Sequence, residues 1–305
     1  MKQKVALVLS SGGARGLAHI GVIEELNNQG FEISSISGCS IGAIVGGFYA
    51  AGKLDIYKNW ICQLDKIDVF KLLDFTFNAQ GFIRGEKVFR VMEEMICDCN
   101  IEDLSIPFCA VATDALNQCE VVFNSGSLYQ ALRASSAIPT VLKPVARDNR
   151  ILIDGAVLNP VPVDKIKRTE GDLLIVVNVN GSFPLPKCPA TLTETEVKKE
   201  MAYREKIDLF RKKLSAMFPK SENVEVKKMG FFDILNRSLD LMQDQLANLT
   251  IQKYEPDILV EISRETCSTF EFYKAKELID EGRKAFTSAN QKYLEAEIIL
   301  NEKSN

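Results

Sequence analysis

The amino-acid sequence predicts an α/β fold of three layers, with a mainly parallel central sheet flanked by helices. Three observations predict it. Val5 to Leu9 is a short continuous apolar run, as a strand buried on both faces requires. Leu17 to Asn28 follows with helical periodicity and stops at Gly30. Ser34 to Ser37 then forms a second strand, and Ile41 to Ala51 an apolar, small-residue helix, buried on every side and closed by Gly52. Strand, helix, strand, helix in that order makes a parallel sheet with right-handed crossovers.

The later elements extend this plan. Leu54 to Asn78 mixes aromatic and charged residues and predicts short helices, and Gly85 precedes a helix over Glu86 to Cys97. Ile106 to Thr113 and Cys119 to Phe123 read as strands joined by a polar turn. Ser127 caps a helix over Leu128 to Ala137, and Pro139 ends it. Ile151 to Ile153 is a strand running straight into Asp154-Gly155-Ala156, and Leu173 to Val179 is the most strand-like run of all.

Composition shifts after Asn180. Residues 1–180 are read as the catalytic core, 181–251 as a helical insertion or lid-like segment, and 252–305 as a last core strand with C-terminal helices. The three form one continuous domain. Within the insertion, Leu192 to Phe218 is an amphipathic helix. Phe231 to Ile251 carries a packed face of Ile234, Leu235, Leu239, Met242, Leu246 and Leu249. Asp257 to Ile262 is the last strand, and one or two charged helices begin at Phe272.

The bounds are ordinary for a globular protein: 305 residues, 46% hydrophobic and 26% charged. A net charge of −4 leaves no excess of cations to neutralise phosphates, which argues against nucleic acid as a partner. The eight cysteines are spread along the chain, many of them in apolar runs, fitting reduced thiols in the cytoplasm better than a disulfide framework. Cys97 and Cys99 form the one close pair and have no Cys/His cluster around them, so no metal is expected. Lys2 and Lys4 precede an apolar run too short for a signal peptide, and no run approaches the ~20 residues of a spanning helix. Any membrane contact is therefore expected to be peripheral.

The chemistry concentrates at Gly38-Cys39-Ser40-Ile41-Gly42, between the second strand and its helix. Such a Gly-x-Ser-x-Gly elbow exposes a serine hydroxyl at a strained turn, where a helix N-terminus favours developing negative charge. Taken alone, the pattern equally fits a tight turn with a capping serine. A nucleophilic serine also needs a base and an oxyanion hole. The chain holds one histidine, His19, which precedes the serine and sits one turn past the first glycine loop. It is read as a residue held by local hydrogen bonds rather than as the base.

Asp154 is the better base, placed at the carboxyl end of a core strand, on the sheet edge that would also hold Gly12, Gly13 and Ser40. Partial burial would raise its proton affinity. Gly12, Gly13 and Ala14 can present consecutive N–H groups to one point, with Arg15 adding positive charge. A dinucleotide loop is the rival reading. Ser11 stands where its first glycine belongs, and no acid follows the second strand, so no cofactor is expected.

Three motifs in this order, Ser11-Gly12-Gly13-Ala14-Arg15-Gly16, Gly38-Cys39-Ser40-Ile41-Gly42 and Asp154-Gly155-Ala156, resemble the patatin-like phospholipase family. Leu17-Ala18-His19-Ile20-Gly21-Val22 and Arg133-Ala134-Ser135-Ser136-Ala137-Ile138-Pro139 support the likeness, which spans residues 5 to about 180 and is nearest the small bacterial cytoplasmic members. The resemblance implies a serine–aspartate dyad hydrolysing lipid acyl esters without histidine or metal. Ser40 would be the nucleophile and Asp154 the base, with Gly12, Gly13, Ala14 and Arg15 in the oxyanion loop. Ser11 replaces a glycine of the family loop, and Cys39 a threonine or other small residue. Acyl transfer to an alcohol, or lipid binding without hydrolysis, would use the same fold. The expected partners are a lipid or acyl-ester substrate, a membrane surface met by the 181–251 segment, or a second copy of the chain.

Overall fold

The computed structural model describes residues 2–73, 85–96, 99–139, 141–184 and 231–304. Eight strands form one sheet among them: β1 (Lys4–Leu9), β2 (Glu32–Cys39), β3 (Phe108–Asp114), β4 (Cys119–Phe123), β5 (Val145–Arg147), β6 (Arg150–Asp154), β7 (Leu173–Gly181) and β8 (Ile258–Ser263). Hydrogen-bonded pairing links them along the path β5-β6-β3-β2-β1-β7-β8, with β4 also paired to β3. The central strands β3, β2, β1, β7 and β8 run parallel. Strands β4 and β6 run antiparallel to β3, and β5 runs antiparallel to β6.

The helices are α1 (Ala18–Asn28), α2 (Ile41–Ala50), α3 (Leu54–Ile61), α4 (Lys66–Leu73), α5 (Glu86–Ile96), α6 (Leu128–Ser135), α7 (Phe231–Tyr254) and α8 (Ala275–Ser304). Alternation along β1 divides them between the two faces of the sheet. Val5, Leu7 and Leu9 pack into the larger core with α1, α2 and α8, while Val8 faces the smaller core that receives Ala247 of α7. Helices on both faces complete the three layers that the apolar runs predict. The cap at Ser127 is also present, its Oγ accepting from the Gln130 N–H at 3.3 Å.

Two expectations change. The strand that ends at Asp154 is antiparallel to β3, not a member of the parallel set. On α7, Ile234, Met242 and Leu249 are more than half exposed, so they do not form its packed face. The helix instead turns Ala247, Ile251 and Tyr254 toward β7 and the Val161–Ile166 segment. A side chain as small as Ala247 lets the helix axis lie close to the sheet. The predicted Leu192–Phe218 helix lies outside the described residues, as do 74–78 of the predicted short helices.

The antiparallel β6 has a consequence for the site. β2 pairs with β3 only as far as Cys39 opposite Val111, and β6 pairs with β3 from Asp154 opposite Ala112 onward. β4 occupies the other edge of β3 over the same stretch. The strands β2 and β6 therefore share one edge of β3 and meet end to end, from opposite directions.

Candidate active site

That head-on meeting brings Ser40 and Asp154 together. Ser40 Oγ donates to Asp154 Oδ2 at 2.6 Å, and both residues are 4% exposed. The serine adopts φ 55 and ψ −121, a strained conformation for a side-chain-bearing residue, at the N-terminus of α2. The flanking glycines make the turn feasible. A Cβ on Gly42 would lie 2.3 Å from the Leu9 carbonyl oxygen, and one on Gly38 would lie 2.6 Å from the Ala43 backbone.

The other oxygen of Asp154 is also occupied. Oδ1 accepts from the Ala156 N–H at 2.8 Å, and Cys39 Sγ lies 3.9 Å away. Burial nevertheless dominates its acidity, raising the pKa to about 6, while the hydrogen bonds from Ser40, Ala156 and Cys39 pull the other way. The neighbouring Cys39 thiol is fully buried, and burial together with the Asp154 charge pushes its pKa well up. It stays protonated and can donate toward the carboxylate.

The glycine loop lines the same cavity as Ser40 and Asp154. Its four predicted members separate into two kinds. Ala14 donates its N–H to the Thr269 carbonyl at 2.9 Å, so that donor is already used. The Arg15 guanidinium turns to Asn180 Oδ1, at 2.8 Å from Nη2, and to the Cys267 carbonyl, at 3.1 Å from Nη1. It braces the loop. Gly12 and Gly13 line the cavity, and neither N–H has a hydrogen-bond partner among the described residues. Gly13 has φ 57, and a Cβ there would lie 2.7 Å from the Thr269 carbonyl oxygen. Ser11 donates its N–H to the Pro160 carbonyl at 2.9 Å, while its hydroxyl is buried without a partner.

His19 stands apart from this cluster. It is fully buried, with one ring nitrogen 2.9 Å from the Ser10 carbonyl, and burial lowers its pKa to about 4. The ring is neutral at physiological pH and supports the start of the loop.

Two cavities meet at Ser40. One is walled by apolar side chains, including Ile44, Tyr57, Phe89 and Met92, and Tyr57 is stacked on Phe48 with ring centroids 4.7 Å apart. The other holds the glycine loop, Asp154, Asn180, Arg264 and, from α7, Asp240 and Gln243. Thr269 and Phe270, from the loop between β8 and α8, line both.

Sequence reasoning missed that loop. Thr269 and Cys267 act through main-chain carbonyls, which leave no residue-type signature. It also gave Ser135 no role, although Ser135 Oγ accepts the Ser40 N–H at 2.9 Å.

A family model described as patatin-like phospholipase matches residues 7–166. An uncharacterized NTE family protein of Mycobacterium tuberculosis is 36% identical, over 94% of this chain and 91% of its own. Lysophospholipase NTE1 of Cryptococcus neoformans is 31% identical over 59% of this chain, and neuropathy target esterase sws of Drosophila melanogaster 28% identical over 58%. In those two the match covers 11% and 13% of the relative. Among solved structures, VipD from Legionella pneumophila aligns with a TM-score of 0.49 and 15% identity, over 94% of this chain and 67% of that one.

Proposed function

Because the chain belongs to the patatin-like phospholipase family, we propose that it hydrolyses acyl esters of lipids, in the manner of a phospholipase A or lysophospholipase, with Ser40 as nucleophile and Asp154 as its base. The observation that carries this reading is the 2.6 Å Ser40–Asp154 hydrogen bond at the junction of an apolar and a polar cavity. An acyl chain fits the first cavity by chemistry, and the alcohol part of the ester fits the second.

The reaction runs in two acyl transfers. As Ser40 Oγ attacks the ester carbonyl, its proton passes to the Asp154 carboxylate. The carbonyl oxygen becomes an oxyanion facing the Gly12 and Gly13 N–H groups, with the N-terminus of α2 adding favourable field. The C–O bond then breaks, and the proton on Asp154 goes to the departing alkoxide. Water attacks the acyl-serine next, giving its proton to Asp154, and collapse of the second oxyanion releases the fatty acid while Ser40 is reprotonated. A carboxylate with a pKa of about 6 is a far better proton acceptor than an exposed aspartate and is still ionised at neutral pH.

The relatives named for lysophospholipase and esterase activity support ester hydrolysis as the reaction class. The test is product analysis by mass spectrometry on a panel of phospholipids, lysophospholipids and neutral esters, with wild type, Ser40→Ala and Asp154→Asn. Free fatty acid is expected from the wild type alone. Near wild-type release by either variant overturns the dyad.

A further inference from the structure

Resting on that dyad, we propose that the end of α6, Ser135 to Ala137, is the clamp that sets the Ser40–Asp154 spacing, with Ser135 as a positioning residue. The two dyad residues sit on strands that make no ladder with each other. β2 and β6 each pair with β3 and meet end to end, so their common neighbour fixes register but not the gap between the two tips. The end of α6 reaches the main chain of both. The Ser40 N–H donates to Ser135 Oγ at 2.9 Å, and the Asp154 N–H donates to the Ala137 carbonyl oxygen at 2.9 Å.

The clamp is itself rigid. Ser135 and Ala137 are fully buried. The Ser136 N–H is held by the Leu132 carbonyl and the Ala137 N–H by the Ala134 carbonyl. Farther back, Arg133 donates to the Lys143 carbonyl at 2.8 Å and lies over the Phe89 ring. Ser40 needs such a restraint, because its positive φ stores strain that the chain would otherwise relieve by turning the serine away. The Ile44 N–H holds its carbonyl within α2, and Ser135 holds its N–H from outside.

Removing the Ser135 hydroxyl leaves the Ser40 N–H buried without an acceptor and frees the turn to shift. A displacement of about 1 Å at reacting atoms costs up to ~10²-fold in rate. The experiment compares Ser135→Ala, Ser135→Thr and Ser135→Val with Ser35→Ala. Ser35 is equally buried but bonds the Lys167 carbonyl, away from the dyad. Thr and Val have nearly the same shape and differ in the hydroxyl, which can accept the Ser40 N–H, against a methyl.

Steady-state hydrolysis is read alongside thermal melting. The expected result is a kcat lowered ~10- to 100-fold in the Ala and Val variants. KM should stay within about twofold, Thr should return most of the rate, and Ser35→Ala should lose stability without losing kcat. Equal kcat for Thr and Val, or a Ser135→Ala kcat matching Ser35→Ala, overturns the clamp. Activity in Ser40→Ala or Asp154→Asn would instead overturn the dyad on which it rests, so the two failures are distinct.

Discussion

Asp154 carries two opposed demands in one carboxyl group. Burial raises its proton affinity, as the proposed role of base requires, and the same burial makes its charge costly to the folded state. If Asp154 is the base of the proposed dyad, kcat/KM is expected to show an acid limb with its midpoint near pH 6, rising to a plateau above it, because only the ionised form can accept the proton. The stability consequence has the opposite sign. The folded pKa of about 6 lies above the ordinary value of 3.8, so the carboxyl favours folding while protonated and loses that contribution as pH rises through about 6. Asp154→Asn is therefore expected to be more stable than wild type at pH 8, by on the order of 2–3 kcal/mol, with the gap closing toward pH 4. Calorimetry at the two pH values checks it, and an equal gap at both would remove the charge as its cause.

The glycine loop works as an element held from outside. Gly13 fits because its positive φ carries no penalty and no Cβ intrudes on Thr269. Gly13→Ala is expected to push the loop off Thr269 and lower kcat by ~10²- to 10³-fold, the scale of losing one oxyanion donor. The bracing by Arg15 predicts a further effect in the same direction. In Arg15→Lys a single ammonium cannot reach Asn180 and the Cys267 carbonyl together as the guanidinium fork does, so kcat should fall while the melting temperature moves little. A KM rise at unchanged kcat in either variant would show that the loop holds the ground state instead.

At the scale of the whole molecule, the C-terminal helix closes the structure over the helix that follows the glycine loop. A Cβ on Gly21 would lie 1.9 Å from the Ile279 carbonyl oxygen, and one on Gly282 would lie 2.0 Å from that of Ala18, so α1 and α8 touch backbone to backbone. Around this crossing Arg283 and Lys58 both pair with Glu24. Backbone contact at that distance leaves no room for repacking, whereas partly exposed ion pairs contribute little. Gly282→Val should thus lower the melting temperature well beyond Arg283→Ala, which should change it slightly. Comparable losses from the two would shift the weight of the interface from packing to charge.

Much of this protein is legible in local sequence. Continuous apolar runs marked β1 and β7 because parallel strands buried on both faces need them. The glycine spacing around Ser40 marked the elbow because no side chain fits at Gly38 or Gly42. The single histidine turned attention to Asp154. Periodicity alone misread the face of α7, since an exposed stripe of Ile234, Met242 and Leu249 has the same helical spacing as a packed one. The sequence also placed Asp154 beside Ser40 by assuming a shared parallel edge, and the true reason is the end-to-end meeting of β2 with an antiparallel β6. By itself, then, the sequence determined the fold class, the elbow and the candidate pair, because these depend on side-chain size and short-range pattern. Only the tertiary structure decided which loop N–H groups are already bonded, what braces the loop and how closely the pair approaches, at 2.6 Å. Those depend on main-chain carbonyls and strand direction, which residues far apart in the chain settle together when they pack.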